Sequence, residues 1–283
     1  MRTFRAYRFT EVFLVAGFIF VGSFFAASDA RAFFGARPAL FFLASYLVTL
    51  SVYAFNSWAG SSDDAANPRL TVVPGDRSPA VAAASLIAAL ALFLLVERRA
   101  APCAAALFIL SALYSYPRFG AKYLPRAGTA LHILGGAVQF QIGWLMFGEL
   151  GVRSLALALY FGLILSAGHV NHELIDLDAD RAAGIRSGAV RYGASGSIRL
   201  HIVICAAALA LLIVAALRGM ATPAHLAPFA VASLLQMASA VALSLRAAPG
   251  QGDFLRHRRL YRILYAVAGL VFLAVKFGPS LGA

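Results

Sequence analysis

Apolar runs long enough to cross a bilayer follow one another along this chain, leaving little else from which to build a structure. A transmembrane helix needs roughly 18 or more predominantly apolar residues in succession. Between charged or Pro/Gly breaks, nine candidate spans appear: about Thr10 to Ala27, Ala39 to Phe55, Pro79 to Val96, Ala101 to Tyr116, Gly128 to Gly148, Val152 to Asn171, Ile198 to Leu217, Ala224 to Leu245, and Tyr261 to Phe277. A segment in lipid must satisfy its own backbone hydrogen bonds, and no alternation of apolar and polar residues marks a barrel, so every span is expected to be helical. The expected fold is an all-α integral membrane protein, with residues 1–283 forming one transmembrane domain.

Charge gives these spans an orientation. Arg2, Arg5 and Arg8, an apolar core and then Ala30-Arg31-Ala32 also fit a cleavable leader, but the core is long for one, so a retained first helix is expected. With the N-terminus in the cytoplasm, most of the 24 Lys and Arg fall in loops on that same side of a multi-pass inner membrane protein, which is the asymmetry of the positive-inside rule. The net charge of +12 is spread among these loops, where topology and contact with anionic membrane lipid account for most of it. No basic domain exists to hold a polyanion, which argues against nucleic acid. Cys103 and Cys205 fall in separate spans and in no CxxC pairing, and are expected to pack as small apolar residues.

Two polar stretches interrupt the chain on the cytoplasmic side, four spans apart: Asn56 to Ser78 after the second span and Asn171 to Ser197 after the sixth, with Pro117 to Ala127 between them. This placement suggests two related four-helix halves around a central cavity. The second stretch puts charge where a membrane helix should avoid it. On a helix, Glu173, Asp176 and Asp180 stand at i, i+3 and i+7 and share one face, while Asp178 points elsewhere. Carboxylates that close repel one another unless a cation lies between them, so this face reads as a divalent-metal site.

The tract from Glu173 to Gly193, with Arg181, Gly184, Arg186 and Arg191 at its later positions, resembles the second aspartate-rich motif of the UbiA superfamily of intramembrane prenyltransferases. That motif reads D-x-x-D-x-x-x-D, then R-x-x-G-x-R-T-x-A-V-R-x-G in the menaquinone-type branch, to which the homogentisate and chlorophyll-type enzymes are similar. Tyr114-Ser-Tyr116-Pro with Lys122 downstream also looks like the family. The family's first motif, N-D-x-x-D-x-x-x-D-x-x-N, is altered here. Asn56, Asp64 and Asn67 match it, but Ser57 and Gly60 stand where aspartates are expected. Asn56, Gly60 and Asp64 share a face at i, i+4 and i+8, so a carboxylate that face would offer is missing; Asp63, Ser61 and Ser62 are the nearby substitutes.

The resemblance implies nine transmembrane helices around a central cavity, Mg2+ as cofactor, and transfer of a prenyl group from an isoprenyl diphosphate to an aromatic or other lipophilic acceptor. It implies Glu173, Asp176 and Asp180 as catalytic acids, and these with Asn56 and Asp64 as metal ligands. Lys122, Arg118, Arg126, Arg181, Arg186, His172 and Asn67 are then expected at the diphosphate. The residue types suit the chemistry. Mg2+ is a hard cation held by one or two carboxylates plus substrate phosphates, and nearby Arg or Lys stabilises the charge growing on the leaving group. The allyl cation left behind favours aromatic faces, at roughly 0.5 to 2 kcal/mol each. Tyr53, Tyr114 and Tyr116 are the candidates, with Phe55, Phe140 and Trp144 as further aromatics. The competing enzyme readings are a terpene cyclase built on the same motifs, a zinc or iron site at His169-x-x-His172-Glu173, and a CDP-alcohol phosphotransferase, whose D-G-x-x-A-R signature is absent. A transporter or a non-catalytic isoprenoid-binding protein are the alternatives outside enzymes.

Overall fold

The computed structural model describes residues 9–61, 78–116 and 120–281. Nine α-helices occur among them: α1 (Phe9–Ala26), α2 (Ala36–Ala59), α3 (Ser78–Val96), α4 (Ala100–Ser115), α5 (Pro125–Leu145), α6 (Val152–Ala182), α7 (Gly188–Leu217), α8 (Pro223–Ser244) and α9 (Gln251–Leu281), with short 3-10 turns at Ala30–Phe33 and Ala121–Tyr123. Six of them (α2, α3 and α6 to α9) are long and apolar enough to cross a membrane; Glu11–Ala26 and Ala100–Ser115 are shorter apolar helices.

Several helices run well past the apolar spans. The structure carries α6 to Ala182 rather than Asn171, starts α9 at Gln251 rather than Tyr261, and places a short helical stretch from Gly188 ahead of Ile198, joined to the rest of α7 across a kink at Gly193 (φ 70°). Most of the expected polar loop from Asn171 to Ser197 is therefore helix. Hydropathy reports only the stretch that matches lipid thickness, whereas the i to i−4 hydrogen-bond ladder continues as long as no residue breaks it. α6 stops where a left-handed residue is available: Gly184 adopts φ 71°, and the Ile185 N–H donates to the Asp180 carbonyl at 2.9 Å, the closing bond of a glycine C-cap.

α5 is the central element, packed along α6, α1 and α4. The crossing with α6 is a backbone contact, because a Cβ on Gly162 would strike the Ile133 carbonyl. Small residues permit such approaches in membrane bundles, where packing rather than water expulsion drives association. The crossing fixes a register in which His132 lies against His169 and Phe140 stacks on Phe161 with ring centroids 5.1 Å apart. Around that stack, Phe25, Phe229 and Phe272 complete a buried aromatic core joining α1, α8 and α9. A second core joins α1 to α5 through Phe41, Phe93 and Ile142.

The end of the bundle opposite the acidic tract is tied by one carboxylate. Glu97, in the turn between α3 and α4, accepts from Arg99 Nε at 2.7 Å and from Arg37 at the start of α2 at 3.1 Å, while Arg99 also donates to the Leu145 carbonyl at the end of α5. The hydrogen bond from Arg99 holds the Glu97 carboxyl below its ordinary range, against the opposing effect of burial. A depressed folded-state value contributes stability that is present above the ordinary carboxylate range and lost as pH falls through the folded value. Glu97→Gln is expected to lower the melting temperature by a few degrees at neutral pH, with the gap from wild type closing in acid; a gap that stays constant down to the acid range would show that ionisation of Glu97 contributes nothing.

Candidate active site

A single cavity of about 1340 Å³ is lined by α1, α2, α4, α5, α6, α8 and α9. At one end of it stands the acidic face of α6. Glu173, Asp176 and Asp180 all border the cavity, whereas Asp178 points outward with a side chain 85% exposed. The continuous helix explains the division, since residues three and four apart share a face. Across the cavity, Tyr53, Asn56 and Gly60 line it from the end of α2, Tyr114 and Ser115 from the end of α4, and Lys122 from the turn after it. The Asn56 carbonyl oxygen accepts from Ser115 Oγ at 2.8 Å, which fixes its amide.

Histidines buttress two of the acids. His172 Nε2 lies 3.5 Å from Asp176 Oδ2, and His169 Nε2 lies 3.3 Å from Glu173 Oε1. His169 is also stacked on His132 from α5, rings 3.6 Å apart and nearly parallel. The His132 ring faces the Gly128 carbonyl through Nδ1 at 2.9 Å, and Tyr114 meets both rings edge-on. On its other side Glu173 sits against Gly188, where a Cβ would fall 2.5 Å from Oε2. Next to it, the buried Ser187 hydroxyl lines the cavity and has no hydrogen-bond partner among the described residues.

Not every expected residue reaches this wall. Tyr116, one residue beyond α4, is exposed, as are Arg126, Arg181 and Arg186, and none of the four borders the cavity. Arg181 lies 3.6 Å from the outward-facing Asp178, and Arg186 follows the turn that ends α6. Phe140 and Trp144 belong to the aromatic core, and Phe55 packs on Trp58 and Phe108. Ser57 is buried within α2. Asp64, Asn67 and Arg118, together with Asp63, lie outside the described residues.

Other groups on the wall escaped the sequence. His132, outside every motif, is part of the site through its stacking contact with His169. Arg258 and Arg262 of α9, outside every motif, grip Glu11 of α1: Arg258 donates at 3.0 Å and Arg262 makes two bonds at 3.2 and 2.6 Å. All three border the cavity. An acid in the first turn of an apolar helix was the available signal, because a charge there needs a partner. At the far end of the same helices, Lys276 donates to the Phe25 carbonyl at 2.8 Å. Between these two ties the wall is formed by Phe13, Leu14 and Gly17 of α1 and Tyr265, Gly269 and Leu270 of α9. Phe13 and Leu270 are more than half exposed on the outside of the bundle as well, so the cavity reaches the outer surface between the first and last helices.

The donor set suits a hard divalent cation. Oxygen ligands predominate, from carboxylates one turn apart, and a nitrogen of each of the two neighbouring histidines lies within 3.5 Å of one of those same carboxylates. Among the described residues no three His, Cys, Asp or Glu side chains already converge on a point. A Mg2+ site that takes part of its shell from substrate phosphates and water requires no such convergence, whereas a closed zinc or iron cage does.

Comparison with known proteins identifies the family and the fold. The profile of the UbiA prenyltransferase family matches residues 15–255. Among solved structures, the bundle resembles an apo UbiA homologue from Aeropyrum pernix K1, with a TM-score of 0.73 at 20% identity over 94% of this chain and 98% of that one. It also resembles digeranylgeranylglyceryl phosphate synthase, at 0.72 and 16% over 97% of both chains. A UbiA homologue from Archaeoglobus fulgidus solved with GPP and Mg2+ gives 0.71 at 14%, over 97% of this chain and 99% of that one. A search of the curated proteins finds no match. The family profile spans most of the chain and the fold agrees from end to end: this multi-pass membrane protein belongs to the UbiA prenyltransferase family.

Proposed function

We propose that this protein is a Mg2+-dependent prenyltransferase that ionises an isoprenyl diphosphate and joins the prenyl group to a lipophilic acceptor. The observation that carries the proposal is the single cavity in which the acidic face of α6 looks across at Asn56 and Lys122 and then continues into an apolar chamber. Further support comes from the Archaeoglobus fulgidus homologue of the same fold, solved with GPP or DMAPP together with Mg2+. Nine spans arranged as two related halves, with the N-terminus and the acidic end in the cytoplasm, complete the proposed architecture.

In this proposal Asp176 and Asp180 hold the cation, with Glu173 beside them and Asn56 on the facing wall. When bound, Mg2+ neutralises the charge that develops on the departing diphosphate. Lys122 adds a point charge to the same anion, and the His172 ring orients Asp176 from the solvent side. Ser187 Oγ, buried and unpartnered at this end of the cavity, can donate to a phosphate oxygen. As the carbon to oxygen bond breaks, its electron pair leaves with the diphosphate. Tyr53 and Tyr114 then present aromatic faces to the allyl cation in a chamber lined mainly by apolar side chains. The acceptor supplies the electron pair for the new bond and gives up a proton. With Ser57 and Gly60 in place of acids, the described part of α2 offers an amide but no carboxylate, so the carboxylate ligands come chiefly from α6.

The test is to incubate purified protein with Mg2+, allylic diphosphates of several lengths and a membrane lipid extract, and to identify products by mass. Expected are released diphosphate and a prenylated lipid, both abolished by chelation of the metal. Release of neither product from any donor would exclude the proposal.

A further inference from the structure

Beyond the acidic end the chamber is lined mainly by apolar side chains, and among its few polar groups Gln139 stands out. Gln139 of α5 borders the cavity yet is only 5% exposed, and its Oε1 has no hydrogen-bond partner among the described residues. The Tyr265 hydroxyl, the other polar group at this side of the chamber, is satisfied by Ser233 at 2.9 Å. A buried amide left unpaired is costly, and rotation about the last side-chain torsion is soft, so either end of this amide can be turned toward the cavity.

Its depth follows from the α5 and α6 register. His132 lies against His169, Gly136 against Gly162, and Phe140 on Phe161, which puts Gln139 at or beyond the level of Gly162 as measured from the acidic end. Fourteen residues of helix separate Gly162 from Asp176, or about 21 Å at a rise of 1.5 Å per residue. A donor anchored at the acids spends the first part of that distance on metal to oxygen contacts of about 2 Å each and on its own diphosphate. Each isoprene unit then adds four chain bonds, about 5 Å when extended, for single bonds of about 1.5 Å. A tail of two units ends short of the amide. A tail of four that stays within the chamber, rather than leaving through the opening between α1 and α9, lies across it and displaces any water at its cavity-facing end.

We infer that Gln139 limits donor length, favouring prenyl diphosphates short enough to leave its amide hydrated. The inference rests on the prenyl-donor function proposed above and names the donor class within it. Hydrocarbon offers the amide no hydrogen bond, so covering it lowers affinity on the order of five- to a hundredfold. His132 and Gly135 share the cavity-facing side of α5 with Gln139, at the i, i+3 and i+7 positions of one helical face. Neither meets the same conflict, since His132 is nearer the diphosphate and Gly135 has no side chain.

The experiment measures dissociation constants of geranyl and geranylgeranyl diphosphate, with Mg2+, for wild-type protein, Gln139→Leu and Gln139→Met in lipid nanodiscs. Wild type is expected to bind the two-unit donor more tightly. Both variants should tighten the four-unit donor about tenfold while leaving the two-unit donor little changed. An unchanged ratio of the two constants in both variants would overturn the length limit while leaving the donor class intact. If neither donor binds wild type, both the limit and the prenyltransferase proposal fall together.

Discussion

Asp176→Ala and Asp180→Ala are each expected to reduce Mg2+-dependent diphosphate release from geranyl diphosphate by a factor of roughly 10² to 10³, the loss that follows when one preorganised electrostatic partner is removed from a developing charge. Both side chains border the cavity one turn apart on α6, and both are partly exposed rather than packed in a core. Their removal therefore takes away ligand oxygens without opening a void, and the variants should insert and melt like wild type. Asp178→Ala is the control: it sits in the same tract, two residues from either acid, but its side chain points away from the cavity. It should retain activity. Full activity in both Asp176 and Asp180 variants, or an equal loss in all three, would mean that the cavity-facing arrangement of these acids has no bearing on turnover.

That contrast also marks how much of the site was legible in the sequence. The spacing of Glu173, Asp176 and Asp180 is a property of a single helix, so one face could be read from residue numbers alone, and the structure puts all three on the cavity wall. Relations between helices could not be read this way. His132 and His169 come together only because Gly162 lets α6 cross α5 at backbone contact, and nothing in the residues around His132 announces that crossing. Glu11 meets Arg258 and Arg262 across nearly the whole length of the chain. Proximity in sequence misled in the opposite direction for Arg181 and Arg186. Both flank the acids, yet Arg181 stands on the outward Asp178 side of α6 and Arg186 lies beyond the turn at Gly184, so both side chains face outward. The all-helical fold was legible because lipid allows few alternatives, but helix lengths were not, since hydropathy does not register the polar turns that carry α6 and α9 beyond the apolar layer.

The second large effect is expected from the smallest substitution. In Gly188→Ala the new methyl group would sit 2.5 Å from Glu173 Oε2, far inside contact distance. Backbone at this point is held by the end of α6 and the start of α7, whereas the carboxylate ends a flexible side chain, so the carboxylate is what must move. It has little room on the other side, where His169 stands 3.3 Å away, itself pinned by the stack with His132. Rotation of Glu173 along the cavity wall is the remaining way to relieve the clash, and this shifts an oxygen by about 1 Å or more relative to Asp176. Displacement on that scale at a charge-stabilising group costs on the order of 10²-fold in turnover. The melting temperature should change little, because relief comes from a side chain at the edge of a cavity. Glu173→Gln separates the two ways Glu173 could matter. If its charge is what counts, Glu173→Gln and Gly188→Ala should lose similar activity, and the double variant should lose no more than either alone, as expected for changes acting through one group. Additive losses would show that Gly188 matters for something other than the position of this carboxylate, and a Gly188→Ala enzyme with full turnover would remove Glu173 from the catalytic set.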